Sequence, residues 1–403
     1  MKIGIDASRA NRLMRTGTEW YSFYLIKELI KLDKENKYIL YLDKKPVDDL
    51  KELIKGSKNF KLKVLKWPWS NFWTIGRLSL EMLFRSPDVL FIPAHSLPFF
   101  CPKKTLTTIH DIAFIREDKV YRPIKMITNN SIISKFISLL IKLFTLGRHE
   151  ANSLDYLDFS TKRSLKVAKK IIAVSKFTKS ELLSCYKAAK EDKIEVIHNG
   201  YNSELYRPIN NKKKEEEVLL KYGLKKPYYL YVGRLEKKKN TPYLLEAFSL
   251  LKEEYPNWPL RLALVGSASF GYDEVKYVIE DYNLSSQVDM PGWIAEEDMP
   301  YVYNSALAFI FPTRHEGFGI PVIEAMACNT ATAVSDLEVL REVAKEASLF
   351  FDYNEPEKIA MTLIDLYKDE DLRKDLQTKG LKRVENFSWE KSAKKTLDLI
   401  LSL

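Results

Sequence analysis

Apolar runs alternate with amphipathic ones along most of the chain, most clearly in its second half. YYLYVG (228–233), RLALVG (261–266) and ALAFIF (306–311) are nearly continuous apolar stretches, the pattern of strands covered on both faces. Each precedes a segment of helical period, over 243–254, 272–283 and 320–328. Strand followed by helix, repeated, predicts βαβ units and a parallel sheet. The first half repeats the theme with KIGIDAS, YILYLD, DVLFIP, TLTTIHD, KIIAVS and IEVIHNG as strands and with helices over 19–32 and 178–186. A chain of 403 residues exceeds what one hydrophobic core organises. The expected fold is therefore α/β, with two Rossmann-like doubly wound domains at 1–200 and 201–387. Residues 199–227, which include NNKKKEEE, read as the linker. Residues 388–403 carry an amphipathic helical pattern that can pack back on either domain.

One segment breaks the rhythm. Ser131, Ser134, Lys135, Ser138, Lys142 and Thr145 recur at helical spacing on one narrow stripe, and the rest of 131–146 is apolar. Such a helix must be mostly covered. It falls short of the roughly 20 residues that a span needs, so it lies in a membrane interface or packs in a core.

Composition narrows the class little further. The hydrophobic share of 46% and charged share of 29% are those of a globular protein. Cys101, Cys185 and Cys328 are too dispersed for a disulfide framework or a zinc site, and the five histidines show no metal-ligand spacing. No metal is expected. The N-terminus, MKIGIDAS, runs straight into a strand pattern rather than a secretory signal, so a cytoplasmic protein is expected. The net charge of +10 is compatible with nucleic acid, an anionic membrane, phosphorylated ligands or a Lys-rich proteome.

Two motifs carry chemistry. RHEGFGIPVIE (314–324) stands between a strand and a helix. Gly317 and Gly319 allow a closely approached turn, and Pro321 suits a first helical turn. Glu316 ahead of that helix and Glu324 two turns into it can bracket one molecule, as carboxylates accept from paired sugar hydroxyls. GRLEKKKN (233–240) follows the YYLYV strand, where open α/β sheets hold ligands. Arg234 and Lys239 can there clamp a diphosphate.

Taken with GIDAS, RTGTEWY, TIHDIAF, IAVSKFTKSEL, VIHNGYN, LALVGS, GWIAEEDMPYVYNSA and FSWEKSA, these motifs resemble the retaining, family 4 glycosyltransferases. The resemblance covers nearly the whole chain and implies the GT-B fold, two Rossmann-like domains facing across a cleft. The first would serve the acceptor and the second the nucleotide-sugar donor.

By that resemblance, Arg234 and Lys239 hold the donor diphosphate, and Glu316 contacts the transferred sugar beside the main-chain amides of Gly317, Phe318 and Gly319. Glu324 takes the ribose hydroxyls, and the main chain at Trp293 and Ile294 meets the base. Gly17, in the loop after the first strand, lets that loop approach the phosphates. His110, next to Asp111, lines the site near the reacting sugar, a candidate catalytic residue together with Glu316. The implied reaction transfers a hexose, mannose among the candidates, from a GDP- or UDP-linked sugar to a saccharide or lipid-linked saccharide acceptor. It serves cell-surface polysaccharide or glycolipid synthesis and needs no further cofactor. Domain closure would hinge at 199–227.

Arg9, Arg12, Arg15 and Asp111 are the acceptor-side candidates. The arginines could meet an anionic, lipid-linked acceptor, with Trp67, Trp69, Trp73 and 131–146 in peripheral contact with the inner membrane face, or they form a solvated basic loop. The chain departs from the family's usual Cys-Gly-Thr-Pro at Cys328-Asn329-Thr330-Ala331. Its segment over 131–160 also looks longer than the usual connection. A sugar-nucleotide epimerase remains an alternative on the same fold. A nucleic-acid-binding protein is a remote one, because the basic residues are spread along the chain and no nucleic-acid-binding signature is present.

Overall fold

A computed structural model of the chain describes residues 1–68, 73–116, 153–269 and 271–403. The segment 131–146 and Trp69 lie outside the described residues. The chain divides into two compact units, Met1–Asn199 with Trp389–Leu403, and Gly200–Ser388.

The first unit is a seven-stranded parallel sheet in the order β3-β2-β1-β4-β5-β6-β7. Its strands are β1 (Lys2–Asp6), β2 (Lys37–Leu42), β3 (Phe60–Val64), β4 (Val89–Ile92), β5 (Thr105–Ile109), β6 (Lys170–Ala173) and β7 (Ile194–Val196). β4 and β5 are buried at every residue, as a sheet covered on both faces requires. The C-terminal helix Trp389–Leu401 packs on helix Gly17–Leu32 of this unit. There Trp389 stacks on Tyr24, with ring centroids 5.6 Å apart and planes 15° apart.

The second unit is a six-stranded parallel sheet, β10-β9-β8-β11-β12-β13. Its strands are β8 (Tyr228–Val232), β9 (Arg261–Val265), β10 (Val288–Gly292), β11 (Ala308–Phe311), β12 (Thr332–Ser335) and β13 (Leu349–Phe351). Tyr228, Tyr229 and Tyr231 are fully buried in β8. Burial is tolerated because each phenol has an acceptor: Val302 O at 2.7 Å, Leu363 O at 2.5 Å and Arg234 O at 3.0 Å. Both units are Rossmann-like.

The stretch read as linker holds an ordered helix, Lys212–Lys221. Asn211 caps it, accepting from the Lys214 N–H at 3.1 Å, and Val218 and Leu219 bury its last turn. Its first six residues are all charged, so the apolar period was too short to read. The chain crosses between the units at 199–200 and 388–389.

Candidate active site

In an open parallel sheet, ligands sit outside the carboxyl ends of the strands where the strand order reverses. In the second unit that point lies between β8 and β11. Residues 233–240 leave β8 and residues 312–319 leave β11, so both motifs converge there. The β8 loop continues the sheet beyond its strands. Gly233 N–H donates to Val265 O at 2.9 Å, and Leu235 N–H to Ser267 O at 3.0 Å.

Asn240 and Arg314 join the two loops. Asn240 adopts a left-handed backbone, φ 57°, at the start of helix Thr241–Glu254. Its amide donates to Tyr353 O at 2.6 Å, and its Oδ1 accepts from Arg314 Nε at 3.0 Å. The Arg314 backbone N–H donates to Lys238 O at 3.1 Å. Sequence reasoning passed over both residues. An asparagine ahead of Thr-Pro was the available signal, since asparagine tolerates left-handed backbone.

Within this frame the Lys239 ammonium forms a close ion pair with Glu316, both side chains being largely buried, and lies 5.5 Å from the Phe311 ring centroid. Arg234 contrasts with it. Its side chain is 54% exposed, with Nε 3.9 Å from Glu236 Oε2, which also accepts from Ser269 Oγ at 2.9 Å. Gly319, φ 95°, precedes helix Ile320–Ala327; a Cβ there would meet Leu340 Cδ2 at 2.9 Å.

Glu324 lies on that helix and accepts from the Tyr303 hydroxyl at 3.1 Å. Burial first, and then the negative charge of Glu296, push its carboxyl from 4.5 up to about 8. Burial likewise pushes the Tyr303 phenol up, so it remains the donor. Glu324 is therefore mostly protonated at neutral pH. Because its folded value is raised, its contribution to stability is fullest below pH 4.5 and declines as pH rises through about 8. Beyond β10, Ile294 is buried and Trp293 is exposed.

In the first unit the strand order reverses between β1 and β4. His110, at the end of β5, sits edge-on to Tyr21 with centroids 4.7 Å apart, and its Nε2 is 3.0 Å from Pro93 O. A carbonyl can only accept, so this partner assigns the proton to Nε2 and the lone pair to Nδ1. Burial holds the ring's pKa below its ordinary value, which favours this neutral form. His110 so held keeps Nδ1 as an acceptor position. The Asp111 carboxylate accepts from the Ala113 N–H at 3.1 Å, closing a short turn. Gly17 is the first residue of helix Gly17–Leu32 rather than part of the loop, and beyond its own helix and chain neighbours no described atom lies within 4 Å of where its Cβ would stand. Its value is open space and not a special backbone angle.

The arginines read as acceptor-facing are engaged within the unit. Arg15, its side chain 3% exposed, pairs with both oxygens of Asp49, donates to Ala10 O at 2.9 Å and lies over the Phe23 ring at 4.2 Å. It offers no edge to an acceptor. Arg12 makes a two-pronged pair with Asp43 at 3.1 and 2.9 Å. Arg9, half-exposed, pairs with Glu19 at 3.2 Å. A loop this basic needs internal counter-charges to order. Trp73 is likewise a core residue, its Nε1–H donating to Leu65 O at 2.8 Å, and Trp67 packs against the same core.

Among the described residues, no group of three His, Cys, Asp or Glu could hold a metal ion, and no helix is long and apolar enough to cross a membrane.

Comparison with known proteins agrees with this architecture. Residues 15–205 match the family described as "Glycosyltransferase Family 4", and residues 211–383 match "Glycosyl transferases group 1". O-antigen chain mannosyltransferase B of Escherichia coli is 31% identical over 264 residues, covering 64% of this chain and 67% of that protein. O-antigen chain mannosyltransferase RfbU of Salmonella typhimurium is 26% identical, over 73% and 68% of the two chains. The match to the serotype-specific mannosyltransferase WbdA of E. coli spans 27% of that longer protein. Among solved structures, a sucrose-phosphate synthase from Thermosynechococcus elongatus has the same fold at 17% identity, with a TM-score of 0.73 over 100% of this chain and 98% of its own. The chain belongs to the group 1, family 4 glycosyltransferases. It is a transferase with two Rossmann-like domains, which decides for sugar transfer over epimerisation.

Proposed function

We propose that the chain transfers a hexose, mannose by its similarity to the O-antigen mannosyltransferases, from a nucleoside-diphosphate sugar to a saccharide or lipid-linked saccharide during cell-surface polysaccharide synthesis. A structural relative in Anabaena, HepE, was solved with UDP and glucose, which supports a nucleotide-sugar donor. The second unit holds the donor and the first serves the acceptor, in the cytoplasm and peripherally at the inner membrane face.

The observation that carries this reading is the Lys239–Glu316 pair beside the exposed Arg234 at the β8/β11 switch point. An arriving diphosphate takes Lys239 and Arg234 as its cations, and Glu316, released from Lys239, accepts from the sugar's hydroxyls. The acceptor oxygen then bonds to the anomeric carbon as the bond to the diphosphate breaks. Retention brings the acceptor to the face that the diphosphate leaves, so its proton passes to a leaving phosphate oxygen. Lys239 and Arg234 stabilise the charge that develops there.

The direct test is a thermal-shift screen of UDP, GDP, ADP and their sugar conjugates. A shift with one nucleotide class that chelator does not alter and Arg234→Ala removes is expected, because a ligand of the folded state raises Tm. No shift at millimolar nucleotide would reject the donor site.

Glu324 adds a pH signature. Ribose hydroxyls donate to a carboxylate and favour its ionised form, so nucleotide binding expels the proton that burial retains. Affinity should rise by up to about tenfold per pH unit below about pH 8 and level off above it. Calorimetry at pH 7 in buffers of different ionisation enthalpy should detect proton release that Glu324→Gln abolishes. Equal heats in all buffers would remove Glu324 from the ribose site.

A further inference from the structure

The first unit carries an apolar surface that the transfer reaction does not use. On the helix Ser79–Arg85, Ser79, Glu81 and Met82 are buried, while Leu80, Leu83 and Phe84 turn outward. They stand at i, i+3 and i+4, a stripe that elsewhere faces a core. Phe84 is 77% exposed. Beside it, Phe99, 57% exposed, and Phe100 sit edge to face with centroids 5.3 Å apart. The helix Ser153–Val167 closes the far side with Arg163, whose guanidinium lies 5.1 Å over the Phe99 ring and donates to Pro98 O at 2.9 Å. Met82, Leu83, Phe99, Phe100 and Arg163 line one open depression of about 410 Å³.

Charge surrounds this surface with one predominant sign. Arg85, Lys103, Lys104, Lys162 and Lys166 are exposed around it. Of the nearby acids, Glu81 is buried and paired with Lys63, and Asp158 neutralises Lys162 at 2.6 Å. Asp88 accepts from the Lys2 N–H at 2.7 Å and Asp155 is half-buried on the helix of Asp158, which leaves Arg85, Lys103, Lys104 and Lys166 in excess. Exposed apolar side chains ringed by lysine and arginine match a bilayer interface. The rings and leucines enter the acyl boundary while the cations stay at the level of anionic headgroups.

We propose that this face, formed by Ser79–Arg85, residues 97–104 and Ser153–Val167, docks the enzyme on an anionic lipid surface. The surface differs from the tryptophans and the segment 131–146 that the sequence suggested. It deepens the lipid-linked-acceptor reading, and vesicle binding is measured without donor or acceptor, so its failure leaves the transfer reaction standing.

The full chain is sedimented with vesicles of phosphatidylcholine, with or without 40% (about two in five lipids) phosphatidylglycerol, enough to set up an attractive surface potential. Binding to the anionic vesicles is expected, and Leu83→Ser/Phe84→Ser should lower the partition coefficient by about tenfold or more. Lys103→Glu/Lys104→Glu should lower it by a similar factor while leaving Tm and donor hydrolysis in solution unchanged; this pair carries the decision if the apolar variant loses stability. No binding to anionic vesicles, or undiminished binding of Lys103→Glu/Lys104→Glu, would overturn the proposal. So would light scattering that shows a lipid-free dimer which Leu83→Ser/Phe84→Ser dissociates, since the face would then bind a second copy.

Discussion

Lys239→Ala should lower kcat/KM by about 10²- to 10³-fold, the scale seen when one preorganised group at a developing charge is removed. The same substitution should destabilise the fold, because Glu316 loses its counter-ion in a largely buried setting. The two effects separate in Lys239→Met/Glu316→Gln, which removes both charges and keeps their volume. That variant should regain most of the lost Tm and remain inactive. Steady-state kinetics and thermal unfolding of the three proteins make the comparison. A Lys239→Ala enzyme within about threefold of wild type would mean that the diphosphate is held elsewhere, because a departing phosphate cannot lose a buried cation so cheaply.

Gly266→Ala should cost about 3 kcal/mol or more and lower Tm by about 6 °C or more. A Cβ at this position would stand 1.9 Å from Gly233 O and 2.7 Å from Gly233 C, which are backbone atoms and cannot swing aside, and the residue's φ is 147°. Relief requires the β8 and β9 loops to part, which moves Arg234, whose backbone N lies 3.4 Å from the same Cβ. Nucleotide affinity should therefore fall together with Tm. Gly17→Ala is the control for stability, since beyond its own helix and chain neighbours no described atom lies within 4 Å of its Cβ, and its Tm should not move. A Gly266→Ala protein that melts with wild type would contradict the close approach of the two loops.

The apolar runs of β8, β9 and β11 were legible because a strand covered on both faces must be apolar throughout. The helix Lys212–Lys221 was not, because its buried face amounts to Val218 and Leu219 and its cap to one asparagine. Arg234, Lys239, Glu316 and Glu324 were singled out by type and spacing. Their unequal states were not legible: Lys239 is pre-paired, Arg234 is exposed and Glu324 is held against the Tyr303 hydroxyl in a setting that favours its neutral form. Each depends on neighbours distant in the chain, 77 residues away for Lys239 and Glu316 and 21 for Glu324 and Tyr303.

The basic loop after β1 shows the same division. Three arginines within seven positions suggested an anion site, but the partners that decide their role, Asp43 and Asp49, belong to a segment more than 30 residues on. Trp73 and Phe84 make the point for apolar groups: the first is buried and the second 77% exposed, although both looked equally hydrophobic in the chain. The sequence by itself determined the two sheets, their parallel sense and the residue types in the loops after β8 and β11, since periodicity and local motifs are properties of adjacent residues. Only the tertiary structure decided which charges neutralise one another and which apolar side chains remain exposed. Burial and pairing depend on how remote segments pack, and no local pattern encodes them.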